Sequence, residues 1–599
     1  MKNIYLGINV SHGASASLII NGEIILAFQE ERFNKIKNFV GYPKKSIDKC
    51  IDYIKSKNLI INEAAFSTIN NPIFPYKYPL DNFFSIKDWF KYYSINFYSK
   101  KQKIREVKKI YNLYNKKNKK IDQYLDFEKI KEKDYFDNPK LFREIQCNFL
   151  KKQSRGLIKK ISFIDHHTCH AYYAAFAPNI KEPRTGILTI DSEGDGLNQT
   201  FWIFDKKINI LKKINQSKEN ELARVYRFIT LILKMKPNEH EFKVMGLAPY
   251  AKNEYSLKVY NEVFKDILTV KNCKIIHKKK PKDLFNYLYT KTKNYRFDNI
   301  AGGVQIFVED IVTKLVKQIS KKYKLKSFSI SGGVSMNIKM NLALSKLKCV
   351  KNIYVPPTGT DESLSIGACY YLNRYKAQKF LKNIYLGQNI SDEIIDKKKI
   401  LDSIKNKKNI LIYEKINHKS IAKILNKGEI VAVARDREEF GARALGNRSI
   451  IANPSIDGIV EKINEQIKNR DFWMPFALTI LENTQKKFLK NDKKISSDFM
   501  TIGFETFEKN YDKIKNGTHF YDKTARPQIL QKNFNPKFYS IINEFYKISN
   551  IPAVLNTSLN LHGYPVSSTL KDVIFTFLNS NLKYLYINNN ILIKKKQNF

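Results

Sequence analysis

The sequence predicts a two-domain α/β protein, and three observations carry that prediction. The first is length: 599 residues exceed what one hydrophobic core organises, and 43% hydrophobic residues supply apolar surface for more than one. The second is alternation. Short runs rich in Ile, Val and aromatics alternate with amphipathic stretches to the end of the chain, as in α/β and α+β layers. The third is internal symmetry. Residues 3–28 and 186–204 each spell strand, small polar turn and returning strand, about 180 residues apart, which implies a duplicated core.

In chain order, residues 3–9 (NIYLGIN) predict a strand that ends in the turn Ser11-His12-Gly13. Strands at 15–20 and 23–28 flank Asn21-Gly22, a type I′ hairpin signal. Residues 75–160 change character: rich in Lys, Tyr and Phe, they predict a helical insertion with helices near 85–98, 100–115 and 121–134. A strand at 161–164 runs into the histidine stretch. Residues 186–190 (GILTI), the turn Asp191–Gly196 and residues 199–204 repeat the hairpin; 219–234 and 303–322 predict helices. The strand 327–331 meets Gly332-Gly333 and a helix from about Asn337, a common phosphate cradle. The strand 352–355 leads through Asp361 to a helix at 363–375. Residues 376–408 are Lys-rich with helical pieces. Beyond them, strands are expected at 429–434 and 551–555, and a helix at 458–468. The expected division is 1–378 with its insertion 75–160, a connection 379–408, and a second domain 409–599.

The stretch Asp165-His166-His167-Thr168-Cys169-His170-Ala171 holds three of the chain's nine histidines. On a helix, His166 and His170 share one face, one turn apart, and two neutral imidazoles on one face can hold a divalent ion. A helix start with its histidines satisfied by backbone is the alternative. Asp361, at a strand end before a helix, is placed either as an N-cap or as a third ligand.

The net charge of +48 invites a nucleic-acid reading. Yet only 15 of the 105 basic residues are Arg, and the chain's bias to Lys, Asn, Ile, Tyr and Phe follows A+T-rich codons. With Lys the default cation, an Arg marks a place that needs a planar fork. Five fall between 435 and 470: Arg435, Arg437, Arg443, Arg448 and Arg470. They imply either a surface set of ion pairs or a site for phosphate or carboxylate groups. No apolar run is long enough for a membrane helix, the N-terminus breaks too early for a signal peptide, and six scattered cysteines suit a reduced cytoplasm.

The ordered motifs DHHTCHA, KVMGLAPYA, SGGVSMN, the Asp361 loop, EFGARALGNRSI, KNRDFWMPFA, KTARPQ and LNTSLNLHG, with the N-terminal hairpin, resemble the NodU/CmcH carbamoyltransferases. The resemblance runs from residue 3 to about 570, interrupted mainly by 75–160. It implies a duplicated actin-like ATPase (ASKHA) domain followed by a YrdC-like domain. It implies that the second domain makes carbamoyl-adenylate from carbamoyl phosphate and ATP, and that the first passes the carbamoyl group to a hydroxyl of a small molecule or glycan. His166, His170 and Asp361 match the ligands of a metal, Fe(II) by implication, with Mg(II) accompanying ATP. Two histidines and a carboxylate suit iron on physical grounds as well. Arg443, Lys468, Arg470 and Arg526 are expected to offset phosphate charge, with His12 as base. Gly332, Gly333, Asn337, Arg448, Ser558 and Asn560 are expected to bind nucleotide or carbamoyl phosphate. Lys468-x-Arg470 and Ser558-x-Asn560 resemble paired nucleotide-binding signatures of YrdC-like folds. A homodimer is among the expectations.

Two departures stand out. Ala442 occupies a position usually Pro in the family's FGPRALG, so a less rigid loop is expected. Ala434-Arg435-Asp436 replaces a more usual Gln-Gly strand end. The insertion is expected to cover the acceptor entrance. The rival class is a tRNA threonylcarbamoyl-adenosine-type modification factor or nucleic-acid-binding protein, which steep salt-dependent RNA retention would favour. A metalloprotease reading of the paired histidines lacks the Glu of His-Glu-x-x-His.

Overall fold

The computed structural model of the chain describes residues 2–94, 100–117, 124–392, 404 and 409–596. They form two compact units, Met1–Glu31 with Ile36–Leu381 and Arg32–Lys35 with Lys382–Phe599.

The first unit contains two five-stranded mixed sheets. In one, β1 (Ile4–Asn9), β2 (Ser15–Ile20) and β3 (Glu23–Gln29) form an antiparallel meander. β4 (Glu63–Phe66) and β5 (Ile161–Phe163) add parallel to β1, giving the order β3-β2-β1-β4-β5. Asn21 and Gly22 have φ of 50° and 81°, as the hairpin turn requires. In the other sheet, β6 (Arg184–Gly194), β7 (Leu197–Asp205) and β8 (Ile210–Ser217) form the meander. A hairpin of β9 (Leu268–Lys271) and β10 (Lys274–His277) stands apart. β11 (Ser327–Ser331) and β12 (Asn352–Tyr354) then add parallel, giving β12-β11-β6-β7-β8. Strand order and direction are therefore the same in both sheets.

Two apolar helices of this unit pack against each other. His166–Phe176 starts where Asp165 accepts the Thr168 N–H at 2.8 Å, and all eleven of its residues are buried. Leu364–Leu372 packs against it so closely that a Cβ on Gly367 would lie 2.0 Å from the Cys169 carbonyl oxygen. Alanine at 367 has no room there.

The insertion is helical at Ile86–Ser94 and Lys100–Lys117; residues 95–98 of the first expected helix lie outside the described residues. The helix expected at 121–134 is not formed over 124–133, and 121–123 are outside the described residues. A short helix Asp134–Asp137 and a longer one, Pro139–Ser154, occur instead, started by Asn138 as N-cap and Pro139 at the first position. That Asn-Pro signal outweighs the Lys-rich periodicity before it. Ring contacts hold the insertion together, Phe74 on Phe136 at 4.7 Å and Tyr76 on Phe142 at 4.5 Å. The helix expected at 303–322 is longer, Phe297–Tyr323, and a 3₁₀ turn, Gly333–Met336, precedes the helix Ile338–Lys346.

The second unit is built on one eight-stranded sheet. In chain order its strands are β13 (Ile410–Tyr413), β14 (Val431–Ala434), β15 (Arg448–Ala452) and β16 (Ala477–Leu481), then β19 (Pro527–Leu530), β20 (Ala553–Ser558), β21 (Tyr584–Ile587) and β22 (Ile591–Lys595). A two-stranded pair, β17 (Phe504–Glu505) and β18 (Thr524–Ala525), lies apart from it. The sheet order is β13-β22-β21-β14-β15-β20-β16-β19. Helices His418–Asn426 and Pro536–Ser549 bury Ile421, Leu425, Phe538, Ile541 and Phe545 against Val431, Val433 and Val554. Of the expected connection, residues 382–392 belong to this unit: the Glu438 N–H donates to the Gln388 carbonyl at 2.9 Å, and Gly387 N–H to that of Glu438 at 3.2 Å. Residues 393–403 and 405–408, where helical pieces were expected, lie outside the described residues.

Candidate functional site

The first unit gathers four side chains of a kind that can hold a metal ion. His166 and His170 come from the buried helix, Asp191 from the end of β6 and Asp361 from the loop after β12. Their ligand atoms all lie within 4.8 Å of one another. His170 Nε2 is 3.4 Å from Asp191 Oδ2 and 3.6 Å from Asp361 Oδ1; His166 Nε2 is 3.7 Å from the same Asp361 oxygen. These gaps are longer than hydrogen bonds, and both Nε2 atoms are buried without a hydrogen-bond partner among the described residues. Two orphaned nitrogens aimed at two carboxylates fit a metal ion, whose coordination would satisfy all four groups.

A second layer fixes the set. His170 Nδ1 bonds Ser331 Oγ at 3.0 Å, which turns Nε2 inward. Asp191 Oδ2 accepts the Gly333 N–H at 2.7 Å, and Asp361 Oδ2 accepts the Ser11 hydroxyl at 2.8 Å. Asp195 accepts the His166 N–H at 2.8 Å. A Cβ on Gly194 would sit 2.2 Å from His166 Cδ2, so only glycine lets β6 approach that ring. His167 faces elsewhere. Its Nδ1 bonds Thr189 Oγ1 at 2.7 Å and its Nε2 the Leu197 carbonyl at 3.0 Å.

Burial alone would disfavour the imidazolium of His170. The carboxylates of Asp191 and Asp361 outweigh it and hold that group at about 9. Burial pushes the carboxyls of Asp191 and Asp361 upward, but the neighbouring histidines prevail and hold both below their usual range. His167 is pushed down to about 3 by burial, then by His166 and His170, and stays neutral. A metal bound there would have to displace the His170 proton, so its affinity is expected to fall about tenfold per unit of pH below about 9. A Co(II) titration between pH 6.5 and 8.5 checks this; a flat profile contradicts it.

His12 lies in the β1–β2 turn, where the Asn9 amide donates to its carbonyl at 3.2 Å. Its Nε2 is buried and lacks a hydrogen-bond partner among the described residues. Burial opposes its charge, but Asp81, Asp361, Glu362 and Glu241 together raise its pKa.

The glycine cradle is tied to the histidine–aspartate set. Gly333 gives its N–H to Asp191, Gly332 gives its own to the Gly359 carbonyl at 2.9 Å, and the side chain of Asn337 caps Met340 N–H and pairs with Gln305. Among the described residues these groups bond to protein, the Gly333 N–H to a carboxylate of the histidine–aspartate set.

In the second unit the arginines divide. Arg448 is fully buried, and its guanidinium donates to the carbonyls of Arg435, Asn447, Ser568, Gln388 and Asp436. This corrects the expectation that it binds phosphate: the planar fork is used on loop carbonyls that the sheet leaves unpaired. Arg435 and Arg437 likewise donate to the carbonyls of Gly446, Gly387 and Leu386. Arg448→Ala is expected to destabilise the protein by roughly 3–5 kcal/mol, because buried acceptors lose a charged donor. A drop in melting temperature of several degrees checks it.

Arg443, Arg470 and Arg526 converge instead on one another. Burial and then Arg443 push Arg470 down to about 10; burial, Arg443 and Arg470 push Arg526 well below the usual guanidinium range. Cations brought this close favour a bound polyanion. Arg470 Nη2 donates to Thr557 Oγ1 at 2.9 Å, and its guanidinium lies over the Phe476 ring at 4.7 Å. Lys468 donates to the carbonyl and hydroxyl of Ser558 and to Asn560 Oδ1 at 2.8 Å, while Ser558 Oγ donates to Asn560 Oδ1 at 2.6 Å. Lys468, Arg470, Ser558 and Asn560, 90 residues apart in sequence, thus form one cluster.

Asp191 and Ser11 were not singled out as site residues. Asp191 stands at the hairpin end of the second sheet, and Ser11 near the equivalent turn of the first. The internal symmetry was the signal that could have found them.

The chain matches the family model described as carbamoyltransferase N-terminus over residues 4–370, and that described as carbamoyltransferase C-terminus over 422–595. It is 31% identical to the uncharacterized protein MJ1051 of Methanocaldococcus jannaschii, over 99% of this chain and 100% of that one. It is 25% identical to nodulation protein NolNO of Sinorhizobium fredii, over 98% of this chain and 79% of that one. A crystal structure of full-length HypF in its phosphate- and nucleotide-bound form overlaps 62% of this chain and 55% of that one, at 12% identity and a TM-score of 0.31, too low to carry an inference.

Proposed function

Because the chain belongs to the carbamoyltransferase family, we propose that it is an ATP-dependent O-carbamoyltransferase whose two half-reactions are divided between its two units. The observation that carries this reading is a pair of separate chemical clusters, three converging arginines in the second unit and a two-histidine, two-carboxylate set in the first. The recurrence of one strand order in both sheets of the first unit supports a duplicated actin-like (ASKHA) arrangement. The second unit is then the YrdC-like part, the first spanning 1–378 and the second 409–599 in the division expected from sequence.

In the first half-reaction, water hydrolyses carbamoyl phosphate to carbamate and orthophosphate; a carbamate oxygen then bonds to the α-phosphorus of ATP, the bond from that phosphorus to the bridging oxygen of the β-phosphate breaks, and pyrophosphate leaves. Arg443, Arg470 and Arg526 hold the phosphate oxygens and offset their charge. Lys468 fixes the Ser558–Asn560 loop beside them. Mg(II) accompanies the nucleotide.

In the second half-reaction, an acceptor hydroxyl oxygen bonds to the carbamoyl carbon, the bond from that carbon to the phosphate oxygen breaks, and AMP leaves. His12 takes the hydroxyl proton at Nε2. His166, His170, Asp191 and Asp361 would hold a divalent metal, Fe(II) by the nitrogen-and-carboxylate character of the donors. Bound there, such an ion supplies a Lewis acid toward the carbamoyl oxygen. Ser11, on Asp361 Oδ2, and Ser331, on His170 Nδ1, keep the ligand set aligned.

Pyrophosphate release tests the reading. Purified protein with ATP, Mg(II) and carbamoyl phosphate is expected to release pyrophosphate, and to release none when carbamoyl phosphate is left out. Absence of carbamoyl-phosphate dependence sinks it.

A further inference from the structure

The acceptor is the unnamed partner of this reaction, and an inference about it rests on the reading above. Segment 76–82 of the insertion is anchored at both ends, and its upstream anchor reaches the site. Upstream, Asp195 accepts the N–H groups of Ile69 at 3.0 Å, Asn70 at 2.7 Å and the metal-site residue His166 at 2.8 Å. Arg143, inside the insertion, donates to the Ile69 carbonyl at 2.6 Å, and Asn71 bonds both Thr68 and the Tyr76 hydroxyl. Downstream, Asn82 accepts the Val40 N–H at 3.3 Å and donates to the Lys37 and Asn38 carbonyls at 3.3 and 3.4 Å.

Between these anchorages lies Asp81. Its Oδ1 accepts the Asn238 side-chain amide at 2.7 Å, and the Asn238 N–H donates to Glu241 Oε1 at 2.7 Å. One asparagine therefore holds two carboxylates side by side, one from the insertion and one from the start of the helix Glu241–Leu247. Both act electrostatically on His12 and on Arg227, so the four groups lie near one another. His12 Nε2 and Arg227 Nε are buried with no hydrogen-bond partner among the described residues. Tyr93 of the insertion acts on Arg227 too, with its ring 4.8 Å from that of Phe228.

We propose that Asp81 and Glu241, clamped by Asn238, bind the acceptor, and that the acceptor is a neutral polyhydroxylated ring. A carboxylate only accepts and a guanidinium only donates, whereas a hydroxyl does both. Neighbouring hydroxyls can donate to Asp81 and Glu241 while accepting from Arg227, leaving a further hydroxyl for His12 Nε2. An alcohol with a single hydroxyl leaves the carboxylates unmatched, and a cationic acceptor meets Arg227.

The test is binding to the full-length protein, followed by saturation-transfer NMR. The probes are methyl α-D-glucopyranoside and myo-inositol, with cyclohexanol and 2-aminocyclohexanol as comparators. At least one polyol is expected to bind at least tenfold more tightly than either comparator. Asp81→Asn and Glu241→Gln are each expected to weaken that polyol about tenfold and to leave cyclohexanol unchanged. Asp81→Asn keeps an oxygen for Asn238, so if Glu241→Gln melts early, Asp81→Asn alone decides. The proposal is overturned if no polyol binds, if the amine binds best, or if neither variant moves polyol binding. Pyrophosphate release by the unmodified protein, measured in parallel, reports on the adenylation reading independently of these outcomes.

Discussion

Arg470→Ala is expected to abolish carbamoyl-phosphate-dependent pyrophosphate release, with a loss of at least 100-fold, about 2.7 kcal/mol or more, as for removal of a preorganised charge-stabilising donor. The size follows from its surroundings. Its guanidinium is held between Thr557 Oγ1 and the Phe476 ring, so it meets the anion already aligned. Removing it also relieves repulsion on Arg526. Arg470→Lys retains a positive charge but loses the fork and the aromatic contact, and should recover little activity. A steady-state pyrophosphate assay measures both; near-normal turnover of Arg470→Ala would remove the arginine cluster from the mechanism.

His170→Ala is expected to lower metal affinity by at least 100-fold and to stop transfer, because it deletes the ligand that lies within 3.6 Å of both carboxylates. His167→Ala is the matched control. Both ring nitrogens of His167 are bonded away from the ligand set, so the metal should stay. Its cost should be in stability, roughly 2–4 kcal/mol, from the cavity and the loss of two buried hydrogen bonds. Metal analysis and melting curves of the two variants separate the roles. An empty site in His167→Ala and a filled one in His170→Ala would reverse the assignment.

The approach of His166, His170 and Asp361 was legible because a helix places i and i+4 side chains together and an α/β sheet delivers loop carboxylates to its strand ends. Asp191 was harder to see. Its residue type fits a turn as well as a ligand, and only the close approach of β6, permitted by Gly194, brings it to His170. The alternation of strands and helices revealed the mixed α/β fold, but not the eight-stranded order of the second unit, since pairing between distant strands leaves no local signal. Arg448 shows the opposite limit. Its rarity in a Lys-rich chain correctly marked a need for a planar fork, but sequence does not distinguish a phosphate from a ring of backbone carbonyls. The helix expected at 121–134 failed over 124–133 because Asn138 and Pro139 start the helix later.

The most direct test of two half-reactions divided between two units is to trap the intermediate. Metal-stripped His170→Ala protein is given ATP, Mg(II) and carbamoyl phosphate, and the quenched mixture is searched by mass spectrometry for carbamoyl-adenylate. The arginine cluster should still form it and the crippled first unit should fail to consume it, so carbamoyl-adenylate should accumulate with pyrophosphate. Its absence, with only ADP and orthophosphate formed, would contradict the account.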